Sequence, residues 1–273
     1  MAKNADLNGA KNAKKDEFYT QLVDIENEVK HYRRHFEGTD AKAVCCIYTG
    51  RERPPERRVL AQGGSFRSEE CLAFLEEADI VCTNPPFSKF RSFVSLLEQY
   101  GKRFLIIGNI NSVTGKEMFP LFMSNRAWLG ASIHSGDREF RVPNDYPLNA
   151  AGWRVDEKGQ KFIRVKGVRW FTNPDYRERH EDIPLYRHYT PEDYPKYDNY
   201  DAINVGKTAE IPCDYDGMMG VPITFMDKYN PAQFEIVGNS GDLAGPIGGH
   251  LKPGRFYLNG KRLFDRIVIR RRR

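Results

Sequence analysis

The chain has 273 residues and a mass of 31.5 kDa, which excludes a small module held together mainly by disulfides. Its 40% hydrophobic and 29% charged residues, with a mean hydropathy of -0.63, predict a water-soluble globular protein and exclude wholesale disorder. The net charge of +5 is a weak indication of a nucleic-acid partner, and the five cysteines, never spaced as C-x-x-C, indicate neither a disulfide framework nor a zinc site.

The predicted elements begin after a polar, lysine-rich stretch at residues 1–15, which we expect to be a flexible basic arm. From Asp16 onward, apolar residues recur every three or four positions and predict an amphipathic helix: Phe18, Leu22, Ile25, Val29, Tyr32 and Phe36. Residues 43–48 form a continuous apolar run of strand length. Regular structure is then excluded by the paired prolines Pro54 and Pro55.

Residues 68–129 alternate between helix and strand patterns. Ser68 is a predicted N-cap, and apolar stripes predict helices through residues 69–78 and 90–97. Apolar runs at 79–83, 103–108 and 126–129 predict buried strands. Continuous apolar strands that alternate with helices are typical of a mostly parallel sheet covered on both faces, so we predict an α/β fold.

Beyond residue 136 the pattern changes to short strands and turns. The turn residues 156–159 predict a hairpin between strands at 153–155 and 161–165, and residues 168–172 predict one more strand. Residues 174–231 are rich in proline and tyrosine and predict an ordered, loop-rich extension. Basic residues dominate from Lys252 to the end.

The clearest chemical signal directly follows the predicted strand at 79–83: Asn84, Pro85, Pro86 and Phe87. In an open α/β sheet, ligands bind beyond the carboxyl ends of the strands, where this motif must lie. The prolines hold the surrounding backbone carbonyls rigid because their φ is fixed. The side-chain oxygen of Asn84 and the carbonyl of Pro85 could accept hydrogen bonds from one amine, and Phe87 could stack on its ring. An ordinary turn is the alternative, which the flanking strand and helix disfavour.

This strand with its Asn-Pro-Pro-Phe sequence resembles the catalytic motif of amino methyltransferases that use S-adenosylmethionine. Further stretches resemble the EcoRI family of adenine-specific DNA methyltransferases, at residues 15–21, 66–70, 194–205, 217–225 and 229–231. The resemblance covers nearly the whole chain. It implies a Rossmann-like methyltransferase core at residues 16–135 and a mixed, loop-rich C-terminal target-recognition region at 136–273.

The resemblance also implies site residues and partners. The motif from Asn84 to Phe87 would hold an adenine flipped out of double-stranded DNA, since its amine cannot be reached inside the duplex. The methionine side of the S-adenosylmethionine pocket would be formed by Asp16, Glu17, Phe18, Tyr19 and Thr20. Candidate DNA-binding residues are Lys196, Tyr197, Asn199 and Asn204. No metal is expected, because the sulfonium already makes the methyl group electrophilic.

The chain departs from the family in residues 37–66, an interval that is shorter than the family's and lacks its acidic cofactor loop. Two alternatives to an adenine N6-methyltransferase therefore stay open. One is a catalytically impaired DNA-binding relative, and the other is an amino methyltransferase that acts on RNA or protein.

The expected cellular location of the protein rests on two further observations. No apolar stretch approaches the roughly 18 residues of a membrane span, and the first residues lack the apolar core of a signal peptide. We expect a cytoplasmic protein with no membrane partner. The residues do not indicate whether a restriction endonuclease accompanies it.

Overall fold

The computed structural model describes residues 44–47, 56–60, 64–144, 146, 148, 152–245 and 254–272. The described helices are α1 (Glu69–Glu77), α2 (Phe90–Gln99), α3 (Phe119–Met123) and α4 (Ser240–Leu243). The described strands are β1 (Val44–Ile47), β2 (Glu56–Val59), β3 (Ile80–Thr83), β4 (Arg103–Asn109), β5 (Trp128–Leu129), β6 (Asp137–Val142), β7 (Trp153–Val155), β8 (Lys161–Lys166), β9 (Val168–Thr172), β10 (Lys196–Tyr197), β11 (Tyr200–Asn204), β12 (Met219–Pro222), β13 (Phe234–Asn239), β14 (Tyr257–Leu258), β15 (Lys261–Arg262) and β16 (Arg266–Arg271). The predicted arm at 1–15 and the helix predicted from Asp16 lie outside the described residues.

The first sheet has the strand order β3-β4-β9-β5 and carries the motif. Its strand β4 is buried from Phe104 to Gly108, as the apolar run predicts. Helix α2 covers one face with the side chains Phe90, Phe93, Val94 and Leu97. Gly108 lets this helix approach closely, because a Cβ there would lie 2.5 Å from the ring of Phe90.

The opposite face of the first sheet packs against a second sheet, of order β6-β8-β7. One apolar cluster joins Leu105, Ile107 and Trp170 of the first sheet to Phe140 and Ile163 of the second. The β7–β8 hairpin forms as predicted, with the Asp156 carboxylate accepting the N–H groups of Lys158 and Gln160.

A third sheet, of order β10-β11-β12-β16-β13, forms from the C-terminal part of the chain. Its apolar residues Ile203, Val221 and Ile269 belong to the same cluster as α2 and α3, so one core continues through both parts. The basic C-terminal stretch lies partly on β16, where Arg270 pairs with Glu235.

The fold is α/β with mixed sheets, but the expected mostly parallel sheet is absent from the described residues. Two strand pairs there are parallel, β3 with β4 and β11 with β12, and the remaining pairs are antiparallel. The reason is that a continuous apolar run reports burial on both faces and says nothing about strand direction. Strand β9, from beyond residue 135, runs antiparallel to β4 within the first sheet.

Candidate functional site

The Asn-Pro-Pro-Phe motif lies at the carboxyl edge of the first sheet. Strand β3 runs parallel to β4, with Thr83 opposite Ile106, so the chain leaves the sheet at Asn84 while β4 continues beside it. Strand β3 is less buried than predicted, since Ile80 is 43% exposed. It has one described neighbour, whereas β4 lies between two strands.

The backbone of the motif is held by its own prolines and by the turn that follows. Pro86 has a φ of -51°, and its carbonyl oxygen accepts the N–H of Lys89 at 2.8 Å. This bond closes a 3₁₀ turn, Phe87–Lys89, that leads directly into α2. The side chain of Pro85 is buried, and within the described part of the chain no hydrogen bond engages its carbonyl oxygen. That carbonyl can therefore act as an acceptor for a ligand.

The aromatic residue of the motif is partly buried. Phe87 is half-buried and packs against the cluster that contains Leu105 and Ile107. Asn84 is also half-buried. An amide oxygen, a backbone carbonyl and a ring thus follow one another at the end of one strand, a combination suited to a flat heterocycle that carries an amine.

The residues expected to form the cofactor pocket, from Asp16 to Thr20, lie outside the described residues. In the shortened 37–66 region, β1 and β2 form an antiparallel hairpin, with Ile47 opposite Glu56. A cavity of about 380 Å³ lies between α1 and α2, lined by Leu72, Ser92 and Leu96 among others. None of the motif residues lines this cavity.

The four candidate DNA-binding residues lie together on β10, β11 and the turn between them, in two different environments. Tyr197 is buried, with its hydroxyl oxygen 3.1 Å from Oδ1 of Asn204 and 3.0 Å from the carbonyl oxygen of Gly220. Burial raises the pKa of Tyr197 to about 12, so the phenol stays protonated and donates. The side-chain amide of Asn199 donates to the carbonyls of Gly245 and Arg255.

Lys196 differs from these neighbours because its side chain is 58% exposed, although it pairs with Asp201 at 2.7 Å. An exposed pair of this kind is weak and can be exchanged for a phosphate contact. Of the candidate residues, Lys196 is therefore the one that is placed to meet a polyanion.

A hairpin that was not predicted, formed by β14 and β15, lies beside β10 and β11. Its turn residues Asn259 and Gly260 have φ values of 50° and 73°, and both N–H groups donate to the Asp198 carboxylate. The hairpin and the loop after it present exposed Lys261, Arg262 and Phe264, the last 86% exposed. The Asn-Gly pair is a hairpin signal that could have located it.

Comparisons with known proteins cover nearly the full length of the chain. A family model described as "Adenine-specific methyltransferase EcoRI" matches residues 6–52 and 52–272. The Type II methyltransferase M.EcoRI of Escherichia coli is 37% identical, over 100% of this chain and 99% of the relative. M.MgeORF184P of Mycoplasma genitalium and M.MpnI of Mycoplasma pneumoniae are each 33% identical, over 97% of this chain and 98% of either relative. No solved structure matches the chain.

The alignment with M.EcoRI is longer than this chain. The comparison with M.EcoRI runs over 336 positions, which leaves 63 positions (336 minus 273) without a residue in this chain. The family model breaks at residue 52, between β1 and β2. This break lies within residues 37–66, the region that is expected to be shorter than in the family.

Proposed function

Because this chain belongs to the adenine-specific EcoRI methyltransferase family of DNA-modifying enzymes, we propose that it methylates the N6 amine of a flipped adenine in duplex DNA, with S-adenosylmethionine as donor. The observation that carries this proposal is the place of Asn84, Pro85, Pro86 and Phe87 at the carboxyl edge of a sheet. Two rigid hydrogen-bond acceptors, the Asn84 side-chain oxygen and the Pro85 carbonyl oxygen, lie beside an aromatic ring and suit a purine amine. The motif itself provides no nucleophile.

Each motif residue has a distinct part in the proposed reaction. The side-chain oxygen of Asn84 and the carbonyl oxygen of Pro85 accept the two amine hydrogens, which orients the nitrogen lone pair out of the ring plane. Phe87 stacks on the purine, while Pro86 keeps the backbone from rotating. When bound, S-adenosylmethionine supplies an electrophilic methyl group, and residues Asp16 to Thr20 would form the methionine side of its pocket.

The DNA-contacting surface of the proposed enzyme includes two adjacent hairpins. Lys196 on one, and Lys261 and Arg262 on the other, are exposed cations that can neutralise phosphates. Phe264 is an exposed ring beside them and can act as an apolar wedge between bases. Asn199 supports this surface, since it accepts the N–H of Tyr257 at 3.1 Å and so joins the hairpins.

One specific observation favours a second candidate, a DNA-binding relative that does not transfer methyl groups. The family model breaks at residue 52, in the interval where the family's acidic cofactor loop is expected, and the alignment with M.EcoRI has 63 more positions than this chain has residues. In that case the DNA surface would remain while S-adenosylmethionine would bind weakly or not at all.

The test is to incubate the full chain with duplex DNA and methyl-tritiated S-adenosylmethionine, then digest the DNA and separate its nucleosides. The proposal expects the label in N6-methyldeoxyadenosine. Label in a cytosine product, or duplex binding without any incorporation, would reject it, and the latter result supports the second candidate. RNA and protein substrates are assayed in parallel. If they become labelled and duplex DNA does not, the result supports the remaining alternative, an amino methyltransferase that acts on RNA or protein.

A further inference from the structure

Three potential metal ligands meet on a surface far along the chain from the motif: His188, Cys213 and Asp214. Nδ1 of His188 lies 2.9 Å from Oδ2 of Asp214 and 3.7 Å from Sγ of Cys213. All three ligand atoms lie within 4.8 Å of one another. An imidazole, a thiol and a carboxylate are the groups that bind zinc in proteins.

The arrangement of these groups distinguishes a metal site from a catalytic triad. In a triad, the nucleophile and the orienting carboxylate use opposite nitrogens of the imidazole. Here both Cys213 and Asp214 approach the same nitrogen, Nδ1. Zn–S and Zn–N bonds of about 2.3 and 2.0 Å at tetrahedral angles separate sulfur from nitrogen by about 3.5 Å, close to the observed distance.

Backbone contacts hold the two segments that carry the ligands. Arg187 forms a parallel bridge with Pro212, and its carbonyl accepts the N–H of Cys213 at 2.8 Å. The guanidinium of Arg271 donates to the carbonyl of Cys213. The three ligands are thus brought together by the fold and do not depend on a metal for their approach.

The carboxylate is oriented by a bond outside the cluster. Oδ1 of Asp214 accepts the N–H of Tyr189 at 2.8 Å, which leaves Oδ2 directed at the other ligands. Support of this kind, from groups that do not bind the metal themselves, is characteristic of metal sites.

We propose that His188, Cys213 and Asp214 bind a divalent transition metal, with zinc as the best chemical match. His188 and Asp214 have side chains that are 76% and 47% exposed, so the fourth coordination position is open to water. The site ties the segment around residue 188 to the segment around residue 213. It is independent of the proposed methyl transfer, because none of its residues belongs to the motif.

Cobalt provides a direct test because its spectrum reports both geometry and sulfur ligation. The full chain, stripped of metal with a chelator, is titrated with Co²⁺ and then with Zn²⁺. We expect one tetrahedral cobalt per chain, with visible d–d bands and a sulfur charge-transfer band that zinc abolishes. No cobalt spectrum at micromolar metal would overturn the proposal.

Variants assign the site to these residues. Cys213→Ser should remove the charge-transfer band, and His188→Ala and Asp214→Asn should each weaken binding about tenfold or more. Cys71→Ser and His180→Ala are the matched controls and should bind as the parent does. An unchanged spectrum in Cys213→Ser, or a loss in Cys71→Ser instead, would contradict the assignment. His188 is exposed, so His188→Ala keeps the test valid if the cysteine variant misfolds.

Discussion

A buried ion pair, Arg169 with Asp227, joins the first sheet to the C-terminal part of the chain. Nε and Nη2 of Arg169 lie 2.6 and 2.9 Å from the two carboxylate oxygens of Asp227, and both side chains are at most 6% exposed. The same guanidinium donates to the carbonyls of His134 and Val168. The described hydrogen bonds of Arg169 are thus all made to other groups of the protein. If Asp227 is removed, the buried guanidinium has neither its carboxylate partner nor water to solvate its charge.

Asp227→Ala should lower the free energy of unfolding by about 3 to 5 kcal/mol, because it leaves the buried guanidinium of Arg169 without its counter-ion. Urea denaturation measures this loss. The control is Glu235→Ala, which breaks the exposed pair with Arg270 and should cost about 1 kcal/mol or less. Equal losses in the two variants would show that the buried pair contributes no more than a surface pair.

Lys196 and Tyr197 are adjacent in sequence but should respond to substitution in opposite ways. Lys196→Ala should weaken duplex binding and reduce its salt dependence by about one phosphate contact, with stability unchanged. Tyr197→Phe should cost about 1 kcal/mol of stability through its lost hydrogen bond while duplex binding is retained. Fluorescence anisotropy at several salt concentrations, with urea denaturation, measures both effects. A larger loss of DNA affinity in Tyr197→Phe would mean that its hydroxyl contacts DNA.

For single residues, the sequence predicted where a residue lies along a strand or turn better than it predicted which groups its side chain contacts. The motif could be placed at a strand end because its prolines and the preceding apolar run are local signals. The bonds of Tyr197 to Gly220 and of Asn199 to Arg255 could not be foreseen, because each partner is more than 20 positions away in the chain.

At the scale of elements, the β14–β15 hairpin depends on a residue outside it. The Asp198 carboxylate accepts both turn N–H groups, from Asn259 and Gly260, at 3.1 and 2.8 Å. The positive φ angles of these residues match the turn that two-residue hairpins favour. Asp198 therefore holds the hairpin against β10 and β11.

Asp198→Ala should loosen this hairpin and weaken duplex binding, even though Asp198 carries a negative charge that would itself repel DNA. The measurement is anisotropy with a labelled duplex, combined with amide exchange of residues 257–262. Lys158→Ala, on the tip of the β7–β8 hairpin, is the control and should bind normally. Tighter binding by Asp198→Ala would show that charge outweighs the anchoring of the hairpin.

Helices and strands that are marked by local sequence signals, such as a cap or an apolar stripe, were predicted well. The pairing of the strands within the sheets was not. Helix α1 begins after Ser68, whose hydroxyl accepts the N–H of Cys71, and α2 buries the predicted stripe. The antiparallel pairing of β4 with β9 was missed because their residues are more than 50 positions apart and the burial pattern carries no direction. The division of the chain at residue 135 remains a prediction, although β9 places a later segment in the first sheet.

At the scale of the whole molecule, the chain combines a full-length family match with a gap at residue 52. Among the described residues, no helix has the length and apolar character needed to span a bilayer. The extent of the match supports the proposed DNA-contacting surface, and the gap makes cofactor affinity the property in which we expect this chain to differ from its relatives.

Calorimetry should therefore find that S-adenosylmethionine binds this chain, and more weakly than it binds the M.EcoRI relative, which has residues at the 63 positions. A longer β1–β2 connection grafted from that relative should remove this difference in affinity. The opposite result, tight binding by the unmodified chain, would show that the gap does not touch the cofactor site. No binding at millimolar ligand, with duplex binding intact, would favour the second candidate function.

The proposal that four residues at the end of β3 hold an adenine amine for methylation is tested by the rate of methyl transfer in Asn84→Ala under single-turnover conditions. The control is Gln99→Ala, an exposed amide at the end of α2. We expect Gln99→Ala to transfer methyl groups at the parent rate, and both variants to keep the duplex affinity of the parent chain. The proposal predicts that Asn84→Ala slows methyl transfer about 100-fold or more, equivalent to roughly 3 kcal/mol. Transfer by Asn84→Ala at the rate of the parent chain would contradict it.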